Sequence, residues 1–414
     1  MPPSATADRT HRRRRFSGRD PDEAHRASTP LELLYDLTIV VAFGTAADEL
    51  AHFVAEGHVW AGIAGFLFAV FAVTWAWLNY SWFASAYDTD DWVFRLATMV
   101  QMIGVVVISL GVPQVFASID HGDTLDNGVV VAGYVIMRVA LVFLWWQVAR
   151  EDPLRAPAAH MYIKTILLAQ VGWVVFTVID LPIGVNFLLF IPLYLLELSG
   201  PKLAERKSQT PWHPHHIAER YSLMVIITLG EVILGTVFAL NALVHGEAGW
   251  TVDAGLLAFA GVGLTFGCWW AYFVIPWAEI LVRHRERAFT YGYGHLAVFG
   301  ALAAMGAGLH VAAFSLEGKA ELGTTGVVVA VALPLALYVA VVYALYSILM
   351  RERDVFHLAL LAATGAVLLV AVALAAAGVD MAICLVVLTS APAVTIVGYE
   401  TLGNRHMADA LERL

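Results

Sequence analysis

Charge is scarce in this chain: Asp, Glu, Lys and Arg supply 14% of its 414 residues, against about 25% in an ordinary soluble domain. Cysteine is scarcer still. Cys268 and Cys384 both fall inside apolar runs, which argues against a disulfide framework or a thiolate metal site. A broad basic face for nucleic acid is also missing, and the run Arg12 to Arg15 reads instead as a membrane-side anchor. No Gly-x-Ser-x-Gly, His-Glu-x-x-His, P-loop lysine or dinucleotide signature occurs, so the commonest enzyme motifs are absent and no cofactor is implied.

Apolar residues, by contrast, make up 60% of the chain. Runs such as Val59 to Phe83, Leu223 to Leu243 and Val327 to Leu349 approach or exceed the ~20 residues that cross a hydrocarbon core of about 30 Å. Cutting these runs at charges, Gly and Pro predicts an all-α, polytopic bundle of twelve helices. They span Leu31 to Phe53, Val59 to Phe83, Trp92 to Ala117, Gly128 to Ala149, His160 to Ile179 and Pro182 to Leu198. The second set spans Ile217 to Leu243, Ala254 to Val282, Tyr291 to Phe314, Gly323 to Leu349, Val355 to Ala377 and Asp380 to Tyr399.

Net charge is −10, yet residues 1–30 carry seven arginines against four acids. Placing this tail in the cytoplasm puts 22 of the 24 Lys and Arg residues on that side, leaving Lys319 outside and Arg138 within a span. Both termini are therefore expected in the cytoplasm. The first apolar run contains Glu32 and Asp36 and no small-residue cleavage site, unlike a signal peptide. The expected organisation is a disordered basic tail over 1–30, a six-helix unit over 31–199, a cytoplasmic linker over 200–216, a second unit over 217–400 and a tail over 401–414.

The two units echo one another in order. Glu32 and Gly44 match Glu219 and Gly230, Trp77-Leu-Asn-Tyr80 matches Trp269-Trp-Ala-Tyr272, and Arg95-Leu96 matches His295-Leu296. With an even number of spans in each, the repeats would be parallel.

Several residues are costly in such a setting. Thr29, Pro30 and Glu32 spell a capped helix start, whereas Asp36, one turn deeper, needs a donor or cation nearby. Arg138 and Glu231 fall near mid-span, where a lone charge costs about 2.5–3.5 kcal/mol. They are read either as a buried ion pair joining the fourth and seventh helices or as members of a water-filled path. Glu219 and His295 lie at a depth that could share a polar network with Asp36. Asp88, Asp90 and Asp91, followed by Arg95, read as a vestibule for a divalent cation or cationic substrate, or as an acidic helix cap. The loop histidines His213, His215, His216 and His284 lack a ligand spacing, and no metal site is assigned. Trp75, Trp77, Trp269 and Trp270 read as packing or interface-belt aromatics.

Arg26-Ala-Ser-Thr-Pro-Leu-Glu-Leu-Leu-Tyr-Asp-Leu-Thr-Ile-Val-Val-Ala resembles the opening motif of the bacterial low temperature requirement A (LtrA) family. Tyr87-Asp-Thr-Asp-Asp-Trp-Val-Phe-Arg-Leu, Ala218-Glu-Arg-Tyr-Ser-Leu-Met-Val-Ile-Ile-Thr-Leu-Gly-Glu and Tyr291-Gly-Tyr-Gly-His-Leu are similar to later segments of that family in the same order. The resemblance implies a multi-pass bacterial inner-membrane protein and carries over no catalytic residue.

The function expected is transport or a channel-like role for an ion or small solute, with the bilayer, that ion or solute and a second copy of the chain as partners, and no nucleic acid. A membrane-embedded transferase or lipid-modifying enzyme using Asp88 to Asp91 is the alternative, and a structural or sensory membrane protein the third.

Overall fold

The computed structural model describes residues 13–21, 23, 26–122, 124–245, 249–351 and 355–403. Arg9, Arg12, Arg353, Arg405 and Arg413 of the charge count, and most of the C-terminal tail, lie outside the described residues. Among those described there is no strand, only an isolated bridge between Thr124 and Pro182.

The helices are α1 (Pro30–Ala55), α2 (Val59–Tyr87), α3 (Trp92–His121), α4 (Gly128–Glu151), α5 (Ala156–Val178), α6 (Ile183–Glu205) and α7 (Pro214–Val244). They continue as α8 (Val252–Phe273), α9 (Trp277–Arg283), α10 (Ala288–Leu316), α11 (Thr324–Met350), α12 (Val355–Ala376) and α13 (Met381–Gly398). Among the described residues, twelve helical segments are long and apolar enough to cross a membrane, α8 and α9 forming one of them. The eighth helix, expected unbroken, is interrupted before Trp277, where Pro276 lacks the N–H that would continue the ladder.

Local chemistry sets the helix starts. Thr29 accepts from Glu32 N while the Glu32 carboxylate accepts from Thr29 N at 2.7 Å, a reciprocal cap that Pro30 completes at the first helical position. Asp91 caps α3 by accepting from Phe94 N at 2.9 Å. Pro214 opens α7 behind a His213 cap, three residues earlier than the apolar run alone indicates.

Hydrogen bonds between connections fix the two ends of the bundle. At one end, Arg19 N donates to Ala86 O at 3.0 Å, Phe16 N to the Glu151 carboxylate at 2.9 Å, and Arg285 to Trp212 O at 2.9 Å. At the other, Glu321 N donates to Ala55 O at 2.7 Å and His58 pairs with Asp120 at 2.6 Å. The first is called the tail end below, the second the far end.

α2 and the α10 span bury 61% and 72% of their most apolar stretches, against 22% for α12, so the former are central and the latter peripheral. α1, α2, α7 and α10 pack on one another in the middle. A Cβ on Gly306 would lie 2.6 Å from Glu231 O, so α10 and α7 meet backbone to backbone there, as small residues permit between membrane helices. On the outside, Phe259, Val262 and Phe266 of α8, and Leu188, Ile191 and Leu195 of α6, are exposed at helical spacing. Such apolar outer faces need lipid rather than water. The chain is a multi-pass, all-helical membrane protein.

Candidate functional site

Buried charge concentrates where α1, α2 and α7 meet near the tail end. Asp36, on α1, accepts from Arg220 Nη1 and Nη2 at 2.8 and 2.7 Å and from Trp77 Nε1 at 2.7 Å. Arg220 Nη2 also donates to Ser81 Oγ at 3.2 Å. Both members of the pair are fully buried. The fork of a guanidinium matches two carboxylate oxygens, so the pair is directional as well as electrostatic. One turn toward the tail, Glu32 lies 3.1 Å from His216 Nε2 and 3.9 Å from Arg26.

Arg26 sits outside the spans, donating to Ala84 O at 2.9 Å and approaching Asp88 to 3.8 Å. Burial pulls its guanidinium pKa below the ordinary value. Burial, and then the Glu32 carboxylate, raise that of Asp88. On the more open tail segment, Arg19 hydrogen-bonds Glu23 and lowers its carboxyl pKa.

A second buried group joins α2, α4 and α6. Arg138 donates to Tyr134 OH and lies 3.4 Å from Glu197, which also accepts from Tyr134 OH at 2.9 Å and Trp75 Nε1 at 2.8 Å. Arg138 is thus partnered by Glu197, not by Glu231. α4 packs on α3 and α5 while α7 packs on α10 and α8, so matching charge and depth did not bring the expected pair together.

Asp36, Glu219 and His295 do not share one hydrogen-bonded network either. Glu219 is half-buried and accepts from Ser28 N at 3.2 Å. His295 Nδ1 lies 2.8 Å from Tyr291 O, one turn back, and its Nε2 lies 2.8 Å from Tyr272 OH. The carbonyl contact assigns the proton to Nδ1, leaving Nε2 to accept from the tyrosine. Aromatic rings make the connection instead: Tyr221 lies 4.9 Å from His295 and 4.9 Å from Trp77, centroid to centroid.

The acidic cluster separates into three roles. Asp88 accepts from Asp90 N at 2.7 Å, Asp90 pairs with Arg95 at 2.9 Å, and Asp91 caps α3 while accepting from Arg14 N at 2.7 Å. Asp90 adopts φ 47° to turn the chain. The carboxylates do not converge on a common point. Asp91→Ala is expected to lower thermal stability by about 1 kcal/mol through loss of the cap. Asp90→Asn, at an exposed pair, is expected to lower it by less than about 1 kcal/mol. Thermal unfolding in detergent measures both.

Glu231 stands apart. It is 7% exposed and lines a cavity of about 240 Å³ between α1, α7 and α10, yet no hydrogen bond or ion pair to it occurs among the described residues. Gly44 faces it; a Cβ there would lie 3.2 Å from its carboxylate. Toward the far end the cavity carries Asp48 and His310, 3.2 Å apart, with His52 3.9 Å from Asp48.

A larger cavity, about 670 Å³, lies at the tail end between α2, α6, α10 and the α6–α7 connection. Trp82 lines it and donates to Tyr221 OH at 2.9 Å. Its floor is therefore two aromatic side chains from Asp36.

Arg220, Glu197 and Arg26 were not singled out by sequence reasoning, and His216, read there as a loop histidine, lies on α7 against Glu32. For Arg220 a signal existed: it already fell in the first turn of the helix expected from Ile217, and Pro214 as the first helical residue sets it more than one turn deep. For Glu197, near the end of an apolar run, there was none.

The sequence model of the bacterial low temperature requirement A protein (LtrA) matches residues 27–392. A curated relative, the uncharacterized protein RA0937 of Rhizobium meliloti (strain 1021), is 25% identical over 318 residues, covering 72% of each chain. No solved structure matches. With that match over most of its length and this helical architecture, the chain belongs to the bacterial low temperature requirement A protein family.

Proposed function

We propose that this protein carries an ion or small solute across the bacterial inner membrane, with Glu231 as the group that takes up a proton or cation from the far-end cavity. The observation carrying this reading is the contrast between Glu231 and the other buried charges in the spans. Among the described residues, Glu32, Asp36, Arg138, Glu197 and Arg220 each meet an opposite charge or a histidine within 4.0 Å, and Glu231 meets none. An acid kept at membrane depth without an internal partner, facing a cavity, is a typical mark of an ion or proton path. The tail-end cavity provides a second chamber, and the packed layer around Asp36, Arg220 and Tyr221 separates the two, as alternating access requires.

The repeat organisation remains part of this proposal. α1 packs on α2 and α3 as α7 packs on α8 and α10, and α3 on α4 as α10 on α11. α2 and α8 differ in their neighbours, α8 packing chiefly on α13. The lipid-modifying alternative draws less support, since Asp90 pairs with Arg95 and Asp91 caps α3.

Topology reporters test the orientation. Fusions after Gly122 and Gly318 are expected in the periplasm and fusions after Gln209 and Arg285 in the cytoplasm; a reversed pattern would invert the path. For activity, the purified protein in liposomes is screened with Na⁺, K⁺, protons and small organic solutes. Saturable flux above empty liposomes is expected, and none for any of them would count against transport.

A further inference from the structure

We infer that the tail-end cavity is a binding site for a soluble organic anion with a flat apolar body, such as an aryl phosphate, sulfonate or carboxylate. The inference rests on the transport reading for its role and names the class of solute, while the binding itself follows from the cavity.

Size is the first consideration. About 670 Å³ falls within the ~300–1,000 Å³ of sites that enclose small organic molecules, and far exceeds what an inorganic ion needs. Its walls come next. Trp82, Trp145, Tyr162, Trp212 and Tyr293 line it, drawn from α2, α4, α5, α10 and the α6–α7 connection. Several are already braced: Trp145 stacks on Tyr162 with centroids 4.1 Å apart and planes at 7°, and Trp82 meets Trp212 edge to face at 4.9 Å. Preorganised rings offer a planar apolar ligand its contact area with little ordering cost.

The charge at the mouth fixes the sign. Lys202 in the last turn of α6, and Arg206 and Lys207 just past its end, are all exposed, and none of them is ion-paired among the described residues. Arg285 enters from the opposite wall, stacked over Trp212 at 4.6 Å and anchored by Trp212 O. The two acids in the lining are occupied. Glu205 accepts from Thr210 N and Oγ1 at 2.9 and 2.7 Å and from Tyr162 OH at 3.1 Å, and Glu286 lies 3.4 Å from His284 and 3.6 Å from Arg287. The cavity therefore presents unpaired positive charge above an aromatic interior, which favours an anionic head on an apolar ring over a cation or a neutral polar solute.

An occupant would reach the sealed layer. Trp82 and Gly292 both line the cavity, a Cβ on Gly292 would lie 3.0 Å from Tyr221 OH, and Trp82 donates to that same hydroxyl. Tyr221 packs on Trp77, which holds Asp36. A ring seated on Trp82 thus bears on the side chains that divide the two cavities.

The test is calorimetric titration of the full-length protein in nanodiscs of zwitterionic lipid, with empty nanodiscs subtracted, using 1-naphthyl phosphate, 1-naphthol and inorganic phosphate. Saturable binding of 1-naphthyl phosphate is expected, with each of the other two weaker by roughly tenfold or more, because ring and anion are both needed. The combined change Lys202→Gln, Arg206→Gln and Lys207→Gln touches only exposed positions, leaves the fold intact and is expected to weaken that binding by a similar factor. Equal binding of 1-naphthol, unchanged affinity in the triple variant or no saturable binding would overturn the inference. Displacement of 1-naphthyl phosphate by anionic phospholipid in the disc would assign the cavity to a lipid headgroup and likewise overturn it. Because no flux is measured, a failure of transport leaves this result standing, and the reverse also holds.

Discussion

Asp36→Leu or Arg220→Leu alone will leave little folded protein, and Asp36→Leu with Arg220→Leu together will recover much of what either loses. The pair is bidentate and fully buried, so a single change leaves one charge in the interior with no counterpart. Breaking such a pair costs about 3–5 kcal/mol, whereas replacing both members by apolar side chains is often nearly neutral. That loss is a large share of the ~5–15 kcal/mol that holds a folded chain together. Arg220→Lys should fall between, keeping the charge but losing the fork. The monodisperse fraction of tagged protein in mild detergent, with its thermal midpoint, reads the wild type, the two leucine variants and their double as a double-mutant cycle, with Arg220→Lys measured beside it. Strictly additive losses would mean that Trp77 and Ser81, rather than the ion pair, hold Asp36 and Arg220.

This pair also shows where the sequence was legible. Spans, caps and the need of Asp36 for a cationic partner follow from local rules: apolar length, the Thr29 to Glu32 spacing, and the expense of a charge in a helix. The partner itself is 184 positions away. Neither charge nor depth chooses between Arg138 and Arg220 for Asp36, or between Glu197 and Glu231 for Arg138. Helix neighbours decide that choice, and they are set by packing of small residues such as Gly306 against Glu231 O rather than by any periodicity in the chain. The acidic run at Asp88 was ambiguous for the opposite reason. Three carboxylates within four residues look alike in sequence, while the chain turns at Asp90 with a positive φ, Asp88 accepts from Asp90 N, Asp90 pairs with Arg95 and Asp91 accepts from Arg14 N. Both cavities depend on tertiary packing and had no linear signature, although Glu231 was already conspicuous.

Glu231→Gln is expected to separate fold from function. The change preserves shape and breaks no ion pair among the described residues, and a lone charge at mid-membrane costs about 2.5–3.5 kcal/mol. Folded yield and thermal midpoint should therefore hold or rise. Flux, however, should fall by roughly tenfold or more, because a neutral amide cannot release and rebind a proton or balance a cation. Glu231→Asp retains the charge on a shorter arm and should retain part of the flux. Asp48→Asn, at the half-exposed mouth, should slow uptake without abolishing it.

The most direct measurement is side-by-side cation and proton flux in liposomes carrying equal amounts of wild-type protein and Glu231→Gln, with insertion verified by protease protection. The account predicts saturable flux for the wild type and near-background flux for an equally folded variant. Equal flux from both would contradict it, because the path would then not pass through the unpartnered carboxylate.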